Sequence, residues 1–192
     1  MNYYISDLHC FHANIITKLD GRPFKDLDEM HRCIIKRWNA RITDNDDIYI
    51  LGDFSFGNAE DTMSVLKKLD GKKHLIKGNH DHKYLNNPQF DKSLFVSIKD
   101  YDEITDNGRR VILSHYPNIF YNHQYRGAYM LYGHIHDTQD ARMMEKIKEM
   151  FKHTTFQTKH GEVKIPFNLI NCFCGYSDYT PLMLDEWIAK QG

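Results

Sequence analysis

The sequence is poor in thiols, in long apolar runs and in net charge, and each shortage closes off a class of protein. Its four cysteines, Cys10, Cys33, Cys172 and Cys174, form no Cys-x-x-Cys pair. That argues against a zinc ribbon and leaves reduced thiols packed in a core. No segment approaches the roughly 18–20 consecutive apolar residues of a membrane helix. The first nine residues run straight into a strand-like pattern without a basic, apolar leader. The expectation is a cytoplasmic protein with no membrane partner. A net charge of −1 supplies no field for collecting nucleic acid or anionic lipid, so neither is an expected partner. Internal repeats and low-complexity stretches are missing too. With 192 residues, 41% hydrophobic and 27% charged, the chain suits one filled core and one domain, 1–192.

What the sequence does have is histidine. Twelve are present, and five fall inside short polar signatures that each follow a hydrophobic run. Asp7-Leu8-His9 follows residues 2–6, and Gly52-Asp53 follows 48–51. Gly78-Asn79-His80-Asp81 follows 74–77, His115 follows 109–114, and Gly133-His134-Ile135-His136 follows 128–132. The runs are β-branched and aromatic, which predicts strands. Alternate residues of an extended segment share a side, so Asp7 and His9 can reach one point. Between these strands, Asp26 caps a predicted helix over 27–42 with Leu27, Met30, Ile34, Trp38 and Ile42 on its apolar face. A second helix is expected over 59–69, with Met63, Leu66 and Leu69 inward. Asp106-Asn107-Gly108 between apolar runs predicts a hairpin. A charged helix near 140–152 and the polar residues to Glu162 read as a surface excursion, 140–162. A strand over 164–172 and a helix over 181–189 complete the expected order.

The donor set has a definite chemistry. Asp7, His9, Asp53, Asn79, His115, His134 and His136 offer two carboxylates, four imidazoles and one amide oxygen. Mixed nitrogen and oxygen donors without thiolate suit Mn, Fe, Zn, Ni or Co better than Ca or Mg. Seven donors exceed one tetrahedral site but fit two ions sharing a carboxylate. His12 and Asn14 follow the first signature and are candidate phosphate contacts. Arg22 and Arg126 are candidate phosphate clamps, since guanidinium matches phosphate geometry. Tyr116 and His123 lie close to the fourth signature. The basic stretch 67–77 reads as a solvated helix end rather than a nucleic-acid patch.

The order Asp-x-His, Gly-Asp, Gly-Asn-His-Asp, His, Gly-His-x-His over residues 2–136 resembles the calcineurin-like metallophosphoesterase superfamily. The resemblance implies an α/β fold, a two-sheet sandwich flanked by helices. It implies two divalent ions, manganese first among the candidates. One would be held by Asp7, His9, Asp53 and His136, the other by Asp53, Asn79, His115 and His134, with Asp53 bridging. His80 would be the non-ligand histidine that protonates the leaving oxygen or stabilises the transition state, and Asp81 would hydrogen-bond His80 and favour its charged form. The implied reaction is attack of a metal-bound hydroxide on a small phosphoester. A nucleotide-like diester is the favoured substrate, and a metabolite monoester is the alternative. Gly52-Asp53 is followed by Phe54-Ser55-Phe56-Gly57, without the arginine that protein Ser/Thr phosphatases and symmetrical dinucleoside tetraphosphatases of the superfamily carry there. A catalytically inactive metal-binding scaffold is the reading of a different class. Retromer-type scaffolds lack the motif histidine, whereas His80 is present.

Overall fold

Most hydrophobic residues of the inner strands have no polar neighbour in sequence, which is the pattern of strands covered on both faces. The computed structural model describes residues 1–159 and 161–191 and shows what covers each face. In chain order the elements are β1 (Asn2–Ile5), α1 (Leu27–Asn39), β2 (Asp47–Ile50), α2 (Ala59–Leu66), β3 (Lys72–Ile76) and α3 (His82–Leu85). Then come β4 (Ser97–Lys99), β5 (Tyr101–Asp106), β6 (Arg109–Ser114), β7 (Tyr129–Tyr132) and α4 (Gln139–His153). The chain continues with β8 (Thr155–Thr158), β9 (Gly161–Lys164), β10 (Asn168–Asn171) and α5 (Leu184–Gln191).

Two four-stranded sheets carry the fold. The first has the order β1-β2-β3-β4 and is parallel throughout. The second has the order β10-β7-β6-β5, with β5 alone antiparallel. The chain passes from one sheet to the other across Asp100, and β5 returns into β6 through Asn107 and Gly108, both at positive φ. That is the backbone an Asn-Gly hairpin turn requires. Tyr4, Ile76, Val111, Leu113, Leu131, Ile170 and Trp187 fill the space between the sheets. Tyr3, Ile5, Ile48, Ile50 and Leu75 face the other way, onto Met30, Ile34 and Trp38 of α1 and Val65 and Leu66 of α2. The result is a two-sheet sandwich with helices outside, an α/β fold.

Helix α1 starts as the sequence predicts: the Asp26 carboxylate accepts from the Glu29 amide at 2.8 Å. Its regular part stops at Asn39, but Ile42 is still buried. Two expectations need correcting. Residues 140–162 are not simply a surface excursion. Met144 and Ala141 of α4 are buried against Ile112, Met130, Tyr132 and Leu169 on the outer face of the second sheet. Apolar residues at 141, 144, 147 and 151 form one stripe on a helix, hidden in the sequence by the charges around it. The strands β8 and β9 are largely exposed. The strand expected over 164–172 is also split. Pro166 has no amide hydrogen to give to a ladder, so residues 161–164 pair with β8 and 168–171 with β7. Among the described residues no helix is long and apolar enough to cross a membrane.

The buried stripe of α4 generates a direct test. Met144 is 6% exposed and its neighbour Met143 is 54% exposed. We predict that Met144→Ala lowers stability by about 2–4 kcal/mol, the cost of a cavity in a packed core. Met143→Ala should stay within about 0.5 kcal/mol. Equal midpoints for the two variants in urea unfolding would return α4 to the surface.

Candidate metal centre

β1, β2, β3, β6 and β7 all end at the same rim, and each delivers one polar signature there. Two clusters of donors result, one of Asp7, His9 and His136, the other of Asp53, His115 and His134. In the first, His9 Nε2 lies 3.1 Å from His136 Nε2, and His136 Nε2 lies 3.5 Å from Asp7 Oδ1. In the second, Asn79 Oδ1 stands 3.0 Å from His115 Nε2. One oxygen joins them: Asp53 Oδ2 is 3.6 Å from His9 Nε2 and 3.5 Å from His115 Nε2. Neighbouring ligands around an ion with bonds of about 2.1 Å stand roughly 3.0–3.4 Å apart. The donor spacing and the nitrogen and oxygen donor types therefore fit two borderline divalent ions with Asp53 between them.

Asp7, His115 and His136 are each aimed by a partner on the far side. His115 Nδ1 pairs with the Leu51 carbonyl at 2.9 Å, which puts the hydrogen on Nδ1 and leaves Nε2 as the ligand atom. Asp7 accepts from Ser6 Oγ at 2.6 Å and from the His134 amide at 3.0 Å. His136 Nδ1 pairs with Asp20 Oδ1 at 2.7 Å. Asp20 is in turn held by Arg22 at 2.9 Å, and Phe173 stacks flat on the His136 ring at 4.8 Å. Burial opposes a charge on His136, but its hydrogen bonds to Asp20 and Asp7 outweigh that and hold it charged up to about 9. Burial likewise works against the Asp7 carboxylate, and His136 holds it down at about 2. Burial depresses His9 to about 2, so its imidazole is neutral. Its Nδ1 is buried without a partner. An ion entering the first cluster must displace the Nε2 proton of His136.

The backbone is bent to make this possible. Asp7, His9, Asp53, His134 and His136 all have φ between 42° and 71°, a left-handed conformation that costs a side-chain-bearing residue roughly 1–2 kcal/mol. Gly78 contributes in another way. Its φ is not left-handed, but a Cβ there would collide with Asp53 Oδ1. Glycine is needed for close approach rather than for rotation.

The remaining sequence candidates divide. Tyr116 packs edge-on against His134 at 4.5 Å and its hydroxyl is 3.5 Å from Asn79 Oδ1. His12 stacks on Phe56 at 4.1 Å beside His9. His80 lies outside both clusters, its Nε2 3.9 Å from Asp53 Oδ2 and its side chain 37% exposed. Asn14 is exposed and precedes a π-helical turn, Ile15–Leu19, without capping it. His123, in left-handed conformation, precedes a 3-10 turn, Gln124–Arg126, without a side-chain cap, and Arg126 is exposed on that turn.

Two expectations are corrected. Arg22 is buried, and its guanidinium donates to the Leu8 and Asp7 carbonyls, to Asp20 and to Met30 Sδ. All its donors are used inside the protein, so it cannot clamp a phosphate. Asp81 does not pair with His80. Its carboxylate accepts from the amides of Gly78 at 2.7 Å and of Asp53 and Phe54 at 2.9 Å, and from the Tyr84 hydroxyl at 2.8 Å. Burial pushes this carboxyl up to about 6 against those four donors. Asp20 and Phe56 were not found from sequence. Asp20 meets His136 across 116 positions, and nothing in its surroundings in the chain marks that meeting.

The calcineurin-like phosphoesterase superfamily domain matches residues 3–163 of the chain. The uncharacterized protein MJ1445 of Methanocaldococcus jannaschii is 36% identical over 136 residues, covering 70% of this chain and 68% of that protein. The Gene 66 protein of Mycobacterium phage D29 is 29% identical over 160 residues, covering 70% of this chain and 77% of that one. Among solved structures, the protein of unknown function AQ665 from Aquifex aeolicus superposes with a TM-score of 0.70 at 25% identity. The match covers 98% of both chains.

Two predictions follow the two buried carboxylates. Asp20→Asn keeps the shape but weakens the hold on His136, and should lower affinity for the first ion about tenfold or more while the second ion stays bound. Metal titration followed by elemental analysis reads this, and equal loss of both ions would contradict it. Asp81→Asn places an amide where backbone N–H groups need acceptors. It should cost about 2–4 kcal/mol and reduce metal content, measured by urea unfolding and elemental analysis.

Proposed function

The chain belongs to the calcineurin-like phosphoesterase superfamily, and on that basis we propose that it hydrolyses phosphodiesters of small or nucleotide-like size. The family implies divalent metal ions and metal-dependent phosphoester hydrolysis. Manganese as the preferred metal, and a cytoplasmic setting, belong to the same proposal. The reading is carried by one observation, the Asp53 Oδ2 atom lying within 3.6 Å of a histidine from each cluster. Two divalent ions held by these clusters would supply Lewis acidity toward phosphoryl oxygens and would lower the pKa of water.

The chain's own groups account for the rest. His80 is free of both clusters, and its partly exposed Nε2 can carry a proton to a departing alkoxide. The His80 amide donates to Asp53 Oδ1 at 2.9 Å, so the proton donor and the shared carboxylate keep a fixed separation. His12 and Phe56 form a wall behind His80, whose ring is 4.7 Å from Phe56. The preference for diesters rests on charge. Arg22 is committed to the interior, and among the described residues Arg126, which is exposed, forms no hydrogen bond or ion pair with either cluster. A monoester dianion would have no guanidinium to meet its second charge, whereas a diester has only one charge to neutralise.

Apo protein reloaded with manganese should bind two ions and hydrolyse bis-p-nitrophenyl phosphate faster than p-nitrophenyl phosphate. His80→Ala should keep both ions and lose about 10²–10⁴-fold in turnover of diesters with alkyl leaving groups. Nitrophenyl esters, whose leaving groups need no proton, should lose less. Equal losses for the two would remove His80 as the acid, monoester turnover alone would reverse the substrate preference, and two bound ions without either activity would favour an inactive scaffold.

A further inference from the structure

Beside the second cluster the surface opens into a cavity of about 690 Å³ that the hydrolysis described above does not use. Its size lies within the usual range for a small-molecule site. Asn79 and Tyr116 form the wall shared with the cluster, so the cavity adjoins the second set of donors. Tyr116 is nearly half exposed although its ring packs at steep angles against His134 and His115. Leu85, which is buried, and Ile98, which is partly buried, supply apolar lining. Lys77 and Lys92 supply charge. Lys77 is paired with Asp100 at 2.7 Å, whereas Lys92 makes no ion pair among the described residues. The lining therefore carries an aromatic ring, apolar surface and an excess of positive charge.

Resting on the phosphodiesterase reading, we propose that this cavity binds one nucleoside half of the substrate, and that this half bears a phosphate of its own. The base lies against Tyr116, since an exposed ring offers a stacking face at little entropic cost. The extra phosphate meets Lys92, with Lys77 nearby. The substrate class is then a short oligonucleotide with a terminal phosphate, of which 5′-phosphorylated diadenylate is the smallest example. In the reaction, the oxygen of water joins phosphorus, one P–O ester bond breaks, and the departing sugar alkoxide takes up a proton. No further reactant is needed.

The test compares 5′-phosphorylated diadenylate with diadenylate lacking the 5′-phosphate, on manganese-loaded protein. We expect kcat/KM to favour the phosphorylated form about tenfold, the scale of one charged hydrogen bond. Lys92→Glu should erase that preference while metal content stays at two ions. Because activity alone could mislead, calorimetry on the manganese-loaded His80→Ala variant should show the same preference in binding. Equal kcat/KM and equal affinity for the two dinucleotides would overturn the assignment, as would a preference that survives Lys92→Glu. The two levels of the reading fail separately. Hydrolysis of bis-p-nitrophenyl phosphate without any advantage for the 5′-phosphate removes the cavity assignment alone. Tighter binding of the phosphorylated dinucleotide without hydrolysis of any diester keeps the cavity and removes the reaction.

Discussion

The carboxylate of Asp81 holds the rim of the first sheet together. It has no solvent contact, and its acceptor capacity goes to the amides of Gly78, Asp53 and Phe54 and to the Tyr84 hydroxyl. Those amides belong to the loops that leave β2 and β3. One buried anion thus fixes the distance between the loop that carries Asp53 and the loop that carries Asn79 and His80. Hydrogen bonds to a charged acceptor are each stronger than neutral ones, and here several share a single residue. The shared position of Asp53, the separation of His80 from it and the approach of Gly78 all depend on that arrangement.

The site also joins the two sheets. Asp7 and His9 come from the first sheet and His136 from the second. Likewise Asp53 and Asn79 come from the first, and His115 and His134 from the second. Each ion would therefore tie one sheet to the other at the end of the sandwich where the side chains between the sheets give way to solvent. Binding energy for a ligand that requires the folded arrangement adds to folding stability. A site built this way couples the relative position of the sheets to the presence of metal, and the flat stacking of Phe173 on His136 extends the coupling into the loop after β10.

Much of this was legible in the sequence because strand ends and ligand types are local signals. Asp7, His9, Asp53, Asn79, His115, His134 and His136 stand in short motifs directly after hydrophobic runs, and the structure brings all seven to one rim. Four features were not legible, each for a physical reason. Asp20 acts on a residue 116 positions away, so only the fold creates the pair. Asp81 follows His80 in the chain, which suggested a pairing, but a side chain adjacent in sequence points elsewhere when the backbone turns. Arg22 had the right chemistry for a phosphate, yet burial determines whether a guanidinium is available, and burial is a property of the whole chain. The stripe of α4 was masked by its charged neighbours, because a helix shows its apolar face only when read at its own period.

The left-handed backbone at Asp7, His9, Asp53, His134 and His136 bears on how such a chain can drift. At each of these positions glycine would relieve the conformational strain, although at Asp7 and Asp53 it would also take the acceptor from the His134 and His80 amides. A descendant that no longer used the rim would have five independent routes to a calmer backbone, each one substitution long. The same five positions mark where an engineer seeking a calmer backbone must hold back, since every one of those glycines would remove a donor side chain from the rim.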